Sequence, residues 1–171
     1  RLAYVGDANN VARSLAIASA KLNVRFTIAA PTEYQFDTAF LRHMEAAYPA
    51  FDIHITTDAA KAVRGADAIY TDVWASMGQE QEQKSRELAF AAYEVTSELM
   101  GLASEDALFM HCLPAFHNDK TVVGKQIIEA TDMPDGLEVT EEVFESPATV
   151  AWDQAENRLH TIKAVMVATL G

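Results

Sequence analysis

The chain has 171 residues, half of them hydrophobic, with 13 Lys and Arg against 25 Asp and Glu for a net charge of −12. That length gives about one domain with enough apolar material for a core, which excludes a multidomain machine and argues against disorder. The acidic balance repels phosphate backbones, so nucleic acid is a poor partner.

Residues 2–5 form a short apolar run stopped by Gly6-Asp7, and Val11, Leu15, Ala18 and Leu22 then fall on one helical stripe. The pattern repeats, with a strand over 25–29 closed by Pro31 and a helix over 38–47 whose apolar positions are Phe40, Leu41 and Met44. A third strand is expected at 51–55, then a short helix through Arg64 with Thr57-Asp58 offering its N-cap, then a fourth strand at 68–71. After a loop over 72–78, the polar stretch 79–86 passes into a helix containing Leu88, Phe90, Ala91 and Tyr93, its charges read as a solvated face. Another short helix is expected at 95–102, and 108–110 reads as a fifth, buried strand leading into His111-Cys112-Leu113-Pro114. Gly124, Pro134 and Gly136 punctuate a polar region that reads as a long loop to about Leu137. A terminal helix over 154–170 places Ile162, Val165, Met166 and Leu170 on one face. Strands alternating with helices predict a single α/β domain: a Rossmann-like parallel sheet with helices on both faces.

No apolar stretch reaches the length of a membrane span, so no membrane partner is expected. The lone Cys112 cannot form an internal disulfide and suits a reducing, cytoplasmic setting. The first residue is Arg1, with neither an initiator Met nor a leader, which predicts that sequence upstream is missing.

Open parallel sheets bind ligands beyond the carboxyl ends of their strands, which directs attention to three loops. Gly6-Asp7-Ala8-Asn9-Asn10 joins the first strand to a helix N-terminus, a seat for a carboxylate or phosphate. It lacks the later glycines of a dinucleotide fingerprint, so a nicotinamide cofactor is disfavoured, and Asn9 or Asn10 also reads as a plain N-cap. In the loop after the fourth strand, Asp72 is placed either to hold a cationic amine or to cap the following turn, with Ser76 as a second polar contact. In the third loop Cys112 reads as a nucleophile, a metal ligand or a small buried residue. A zinc site from His111, Cys112 and His117 is disfavoured, because adjacent strand residues face opposite ways and no paired-cysteine spacing exists.

Gly6-Asp7-Ala8-Asn9-Asn10, Asp72-Val73-Trp74-Ala75-Ser76-Met77-Gly78, His111-Cys112-Leu113-Pro114 and Ala155-Glu156-Asn157-Arg158 occur in an order that resembles the second, ornithine-binding domain of ornithine carbamoyltransferases. Cys112 is where aspartate carbamoyltransferases carry proline. The resemblance implies that residues 1–171 are one ornithine-binding domain and that Asn10, Asp72, Ser76 and the Met77 backbone hold the α-groups of L-ornithine. It further implies that Cys112, as the catalytic residue, and Leu113 lie near the δ-amine and carbamoyl group, that Arg158 reaches carbamoyl phosphate, and that the Leu113-Pro114 bond is cis. No cofactor and no metal are expected, and the resemblance implies a homotrimer for the full-length enzyme. Ala115-Phe116-His117 departs from the Arg that many members carry after the proline. The family's Ser-Thr-Arg-Thr and His-Pro-x-Gln segments do not occur, so the chain reads as half an enzyme, without the carbamoyl phosphate-binding domain and inactive alone. Competing expectations are a non-catalytic module for a basic amino acid, a hydrolase built on Cys112 with His111 or His117, and a putrescine-using relative.

Overall fold

The computed structural model describes residues 1–74, 83–130 and 136–171. Five strands, β1 (Leu2–Val5), β2 (Phe26–Ala29), β3 (Ile53–Thr56), β4 (Ala68–Thr71) and β5 (Leu108–His111), form one sheet in the order β3-β2-β1-β4-β5. Every neighbouring pair is parallel. The chain steps outward from β1 to β3 and then returns to lay β4 against the free side of β1. The order therefore reverses between β1 and β4, and the crevice beyond their carboxyl ends is where such sheets seat ligands.

Parallel strands need crossovers, supplied by α1 (Asn10–Leu22), α2 (Thr38–Ala47) and α3 (Ala59–Val63), and between β4 and β5 by α4 (Gln83–Phe90) and α5 (Ser97–Met100). Asn9, Asp37 and Asp58 cap the first three of these helices through side-chain oxygens that accept backbone N–H groups. Alternation along the strands divides the core. Tyr4, Ile28 and Tyr70 pack with Ala12, Ala16, Phe40 and Met44 of α1 and α2, while Ala3, Val5, Ile69 and Phe109 pack with Val63, Phe90, Val95 and Phe144 on the other face. Small Ala12 and Ala16 let α1 lie close to the sheet.

The chain ends in α6 (Val122–Ala130), α7 (Glu141–Phe144) and the twenty-residue α8 (Ala151–Leu170). The α/β fold with helices on both faces is as expected. The long loop expected before Leu137 is interrupted by α6. Thr121 starts that helix, its hydroxyl accepting the Gly124 N–H at 2.9 Å, and Gly124 is accommodated inside it rather than breaking it. Beyond buried Ala151 and half-buried Gln154, α8 is exposed, including Trp152, Leu159, Ile162, Met166 and Leu170. Among the described residues no helix is long and apolar enough to cross a membrane.

Candidate functional site

At the end of β1 the backbone turns through Gly6, whose φ of +140° is open to glycine and strained for residues with a Cβ. The turn delivers Asn9 to the head of α1. Its side-chain oxygen accepts from Val11 N at 2.9 Å and Ala12 N at 3.1 Å, and its amide nitrogen donates to Asp72 Oδ2 at 2.7 Å. One side chain thus caps the helix and reaches across the switch point to β4. Of the two asparagines, Asn9 is the N-cap, whereas Asn10 is exposed at the first helical position.

Asp72 follows β4 and is buried. Its Oδ1 accepts from the Val73 N–H and from the Cys112 thiol, both at 2.8 Å. The register Tyr70↔Met110 and Thr71↔His111 explains this meeting, because one further step sets Asp72 beside Cys112. Two residues back on the same strand, the Tyr70 hydroxyl accepts from Gln154 Nε2 of α8 at 2.7 Å. The Tyr70 ring stacks on Tyr4 with centroids 5.8 Å apart. Burial and then the Asp72 carboxylate push the Cys112 thiol up to about 12, so near neutrality it stays protonated and donates to Asp72. Burial, then Asp72, likewise raises the Tyr4 phenol.

The opposite face of β5 carries His111, fully buried. Its Nδ1 meets the Cys112 carbonyl, and its Nε2 stands 3.2 Å from Glu138 Oε1, an ion pair whenever the imidazole is protonated. Burial is the largest single influence and disfavours charge on the imidazole, but Glu138, the Cys112 carbonyl and Asp72 together outweigh it and the pKa is raised. The same Glu138 oxygen accepts the Phe116 N–H at 2.7 Å, so one buried carboxylate holds both ends of the segment carrying Cys112 and Leu113. Gly136 makes this approach possible: a Cβ there would stand 2.2 Å from the Val139 carbonyl oxygen. The Leu113-Pro114 bond is cis, in line with the resemblance.

His111 and Cys112 therefore face opposite sides of the sheet, and the His117 ring stacks on Phe144 at 3.8 Å. Cys112 bonds to Asp72 rather than to an imidazole, which leaves a cysteine–histidine nucleophilic pair unassembled. The described residues hold no group of three His, Cys, Asp or Glu able to bind a metal.

The expectation that the charges of 79–86 form a solvated face fails at Arg86, which is buried. Its Nη1 donates to Asp7 Oδ2 at 2.6 Å and to the Trp74 carbonyl at 3.1 Å, while the guanidinium lies 4.8 Å from the Tyr34 ring centroid. A helical periodicity argument misses this because the partner lies 79 residues away.

Of the residues singled out from sequence, Asp72 and Cys112 are in direct contact, and Leu113 is partly exposed beside them. Arg158 is exposed on α8, one turn beyond Gln154 and on the same side of the helix. Ser76 and Met77 lie outside the described residues. Tyr70, Glu138, Gln154 and the bridging role of Asn9 were not anticipated. For Tyr70 a signal existed, since it precedes Asp72 by two residues on a strand.

The family model described as the Asp/Orn binding domain of aspartate/ornithine carbamoyltransferase matches residues 1–169. Among solved structures, the ornithine carbamoyltransferase of Pyrococcus furiosus is 44% identical, with a TM-score of 0.78 over 96% of this chain and 48% of its own. That of Gloeobacter violaceus is 35% identical with a TM-score of 0.78 over 99% of this chain and 51% of its own. That of Thermus thermophilus is 34% identical with a TM-score of 0.73, again over 99% and 48%. The chain spans about half the length of these structures.

Proposed function

The chain belongs to the aspartate/ornithine carbamoyltransferase family, and from that premise we propose that its strand-end cluster is the L-ornithine half of an ornithine carbamoyltransferase active site. In this reading the other half, which binds most of the carbamoyl phosphate, lies outside residues 1–171. The δ-amine of ornithine attacks the carbonyl carbon of carbamoyl phosphate; the new N–C bond replaces the C–O bond to phosphate, giving citrulline.

The observation that carries the reading is the buried Asp72 carboxylate in contact with the half-buried Cys112 thiol at the switch point. A buried carboxylate favours a cationic ligand group and repels a dicarboxylate, which supports ornithine over aspartate. Asp72 is assigned to the α-ammonium, with Asn10, Ser76 and Met77 around the α-groups. Placing Asp72 on the δ-ammonium would stabilise the unreactive charged form. With an amine pKa near 10.4, neutralising it at pH 7 already costs about 4.6 kcal/mol. A neutral thiol beside the δ-amine adds no such penalty. Cys112, held protonated, therefore orients the amine rather than taking its proton from it. Leu113 and Arg158 are assigned to the carbamoyl phosphate side. Holding two substrates in attack geometry lowers the barrier by about 7 to 11 kcal/mol, and that requires both halves.

The test is citrulline formation by the longest natural protein containing these residues, with aspartate and putrescine as competing acceptors. Turnover with ornithine is expected, and preferential carbamoylation of either competitor would overturn the assignment. The 171-residue chain alone is expected to give no turnover and to gain it when the missing half is added.

A further inference from the structure

The parallel register aligns a second row of side chains at the amino ends of the strands, away from the cluster around Asp72. Ala3, Thr27 and His54 stand side by side, and Arg25 lies one pleat earlier on the same face, the one that α3 covers. That helix has five residues and a length of about 7.5 Å, too short to span strands of about 13 Å. The amino half of the face is therefore left as a trough of about 570 Å³, with Ala3 and Thr27 in its lining and the exposed cations Arg1, Arg25, Lys61 and Arg64 around it. Four of the thirteen Lys and Arg meet there, and Asp52 is the one carboxylate in the lining among the described residues, so a chain of net charge −12 carries a local excess of three positive charges. Among the described residues, Arg25, Lys61 and Arg64 have no ion-pair partner. The acids elsewhere do not cancel this excess, because at physiological ionic strength charges more than about 8 Å away through solvent are largely screened.

We propose that this trough binds a small oligophosphate, a molecule carrying a di- or triphosphate group, through Arg25, Lys61 and Arg64. Guanidinium groups engage phosphate oxygens two at a time, and the Lys61 ammonium adds a compact point charge. The Thr27 hydroxyl and the His54 imidazole offer further hydrogen bonds along the lining. An excess of three charges matches a di- or triphosphate and exceeds what a monoanion neutralises. The volume lies within the range of roughly 300 to 1,000 Å³ common to small-molecule sites. The trough and the Asp72–Cys112 cluster sit at opposite ends of the same strands, so occupancy of one leaves the other open. The inference goes beyond the carbamoyltransferase reading and does not depend on it.

The test is equilibrium dialysis of sodium tripolyphosphate against the longest natural protein containing these residues, which reads binding directly and needs no turnover. Arg25→Ser with Arg64→Ser is expected to lose one bound equivalent, or to weaken it by at least tenfold, as the loss of charge-assisted hydrogen bonds requires. Both side chains are exposed, so folding is not at stake. Asp52→Asn removes the opposing carboxylate and is expected to tighten binding several-fold. Arg42→Ser with Lys125→Ser removes the same charge from exposed positions outside the trough and is expected to change affinity less than twofold. Citrate, a polycarboxylate, is expected to bind at least tenfold more weakly than tripolyphosphate. The proposal is overturned by wild-type binding in the Arg25/Arg64 variant, by an equal loss in the Arg42/Lys125 variant, by weaker binding in Asp52→Asn, or by citrate binding as tightly. Absence of tripolyphosphate binding to the wild type overturns it as well. Failure of the wild type to form citrulline would refute only the functional reading.

Discussion

Replacing Arg86 by Met removes the cation that ties α4 to the loop after β1. The side chains of Arg86 and Asp7 are 7% and 17% exposed, with Nη1 2.6 Å from Oδ2, so water screens the pair poorly. Breaking a buried pair from one side costs about 3 to 5 kcal/mol, because the remaining charge stays buried. The partial exposure of Asp7 places the expected loss near the lower end, about 3 kcal/mol, with the Trp74 carbonyl also losing its donor. For a chain of this size, 1 kcal/mol moves the midpoint by roughly 2 to 4 °C, so thermal unfolding should fall by about 6 to 12 °C. Arg86→Lys keeps the charge but loses the contact over Tyr34, and should fall between. Urea unfolding of Arg86→Met, Asp7→Asn and the double variant supplies the check: the double variant should cost clearly less than the two singles added together. A loss below about 0.5 kcal/mol in Arg86→Met, the range of ordinary surface changes, would refute the buried-clamp argument.

Asn9→Ala removes a helix cap and leaves Asp72 Oδ2 without its amide donor, an expected loss of roughly 2 kcal/mol, whereas exposed Asn10→Ala should stay within about 0.5 kcal/mol; chemical denaturation distinguishes the neighbours. His111 has its folded pKa raised above the unfolded value, so its contact with Glu138 stabilises fully below about pH 6.5 and fades as the pH climbs through the folded value. The stability gap between wild type and His111→Gln should therefore be widest near pH 6 and shrink toward pH 9, and a gap independent of pH would contradict the ionic assignment. In the full-length protein, Asp72→Ala should abolish ornithine capture while sparing carbamoyl phosphate, and calorimetry finding an unchanged affinity for an ornithine analogue would count against the assigned role.

Periodicity made the sheet legible because strand and helix alternate in short units, and Leu2–Val5, Thr38–Ala47 and Ala68–Thr71 coincide with their expected bounds. The α6 segment was hidden by treating Gly124 as a breaker, although one glycine costs a helix only about 1 kcal/mol and Thr121 supplies a starting cap. Asp72 and Cys112 were visible as strand-end residues, but their contact across 40 positions needed the β4–β5 register. Arg86 and Glu138 were illegible for a different reason. A charged residue reads as exposed unless its partner is known, and here Asp7 and His111 are supplied by distant segments. Gln154 reads in the sequence as an ordinary helix residue, because only the docking of α8 brings it to Tyr70.

Helices in water owe most of their persistence to tertiary contact, and α8 has little of it after its first turns. Its twenty residues extend about 30 Å, yet only the end beginning at Ala151 is seated. Amide protons from Leu159 onward should accordingly exchange with deuterium near the rate of a fraying peptide, while those of β1 wait for global opening. The far end of the rod thus serves as a built-in gauge, since any surface that covers it will announce itself as slowed exchange there before it alters the sheet.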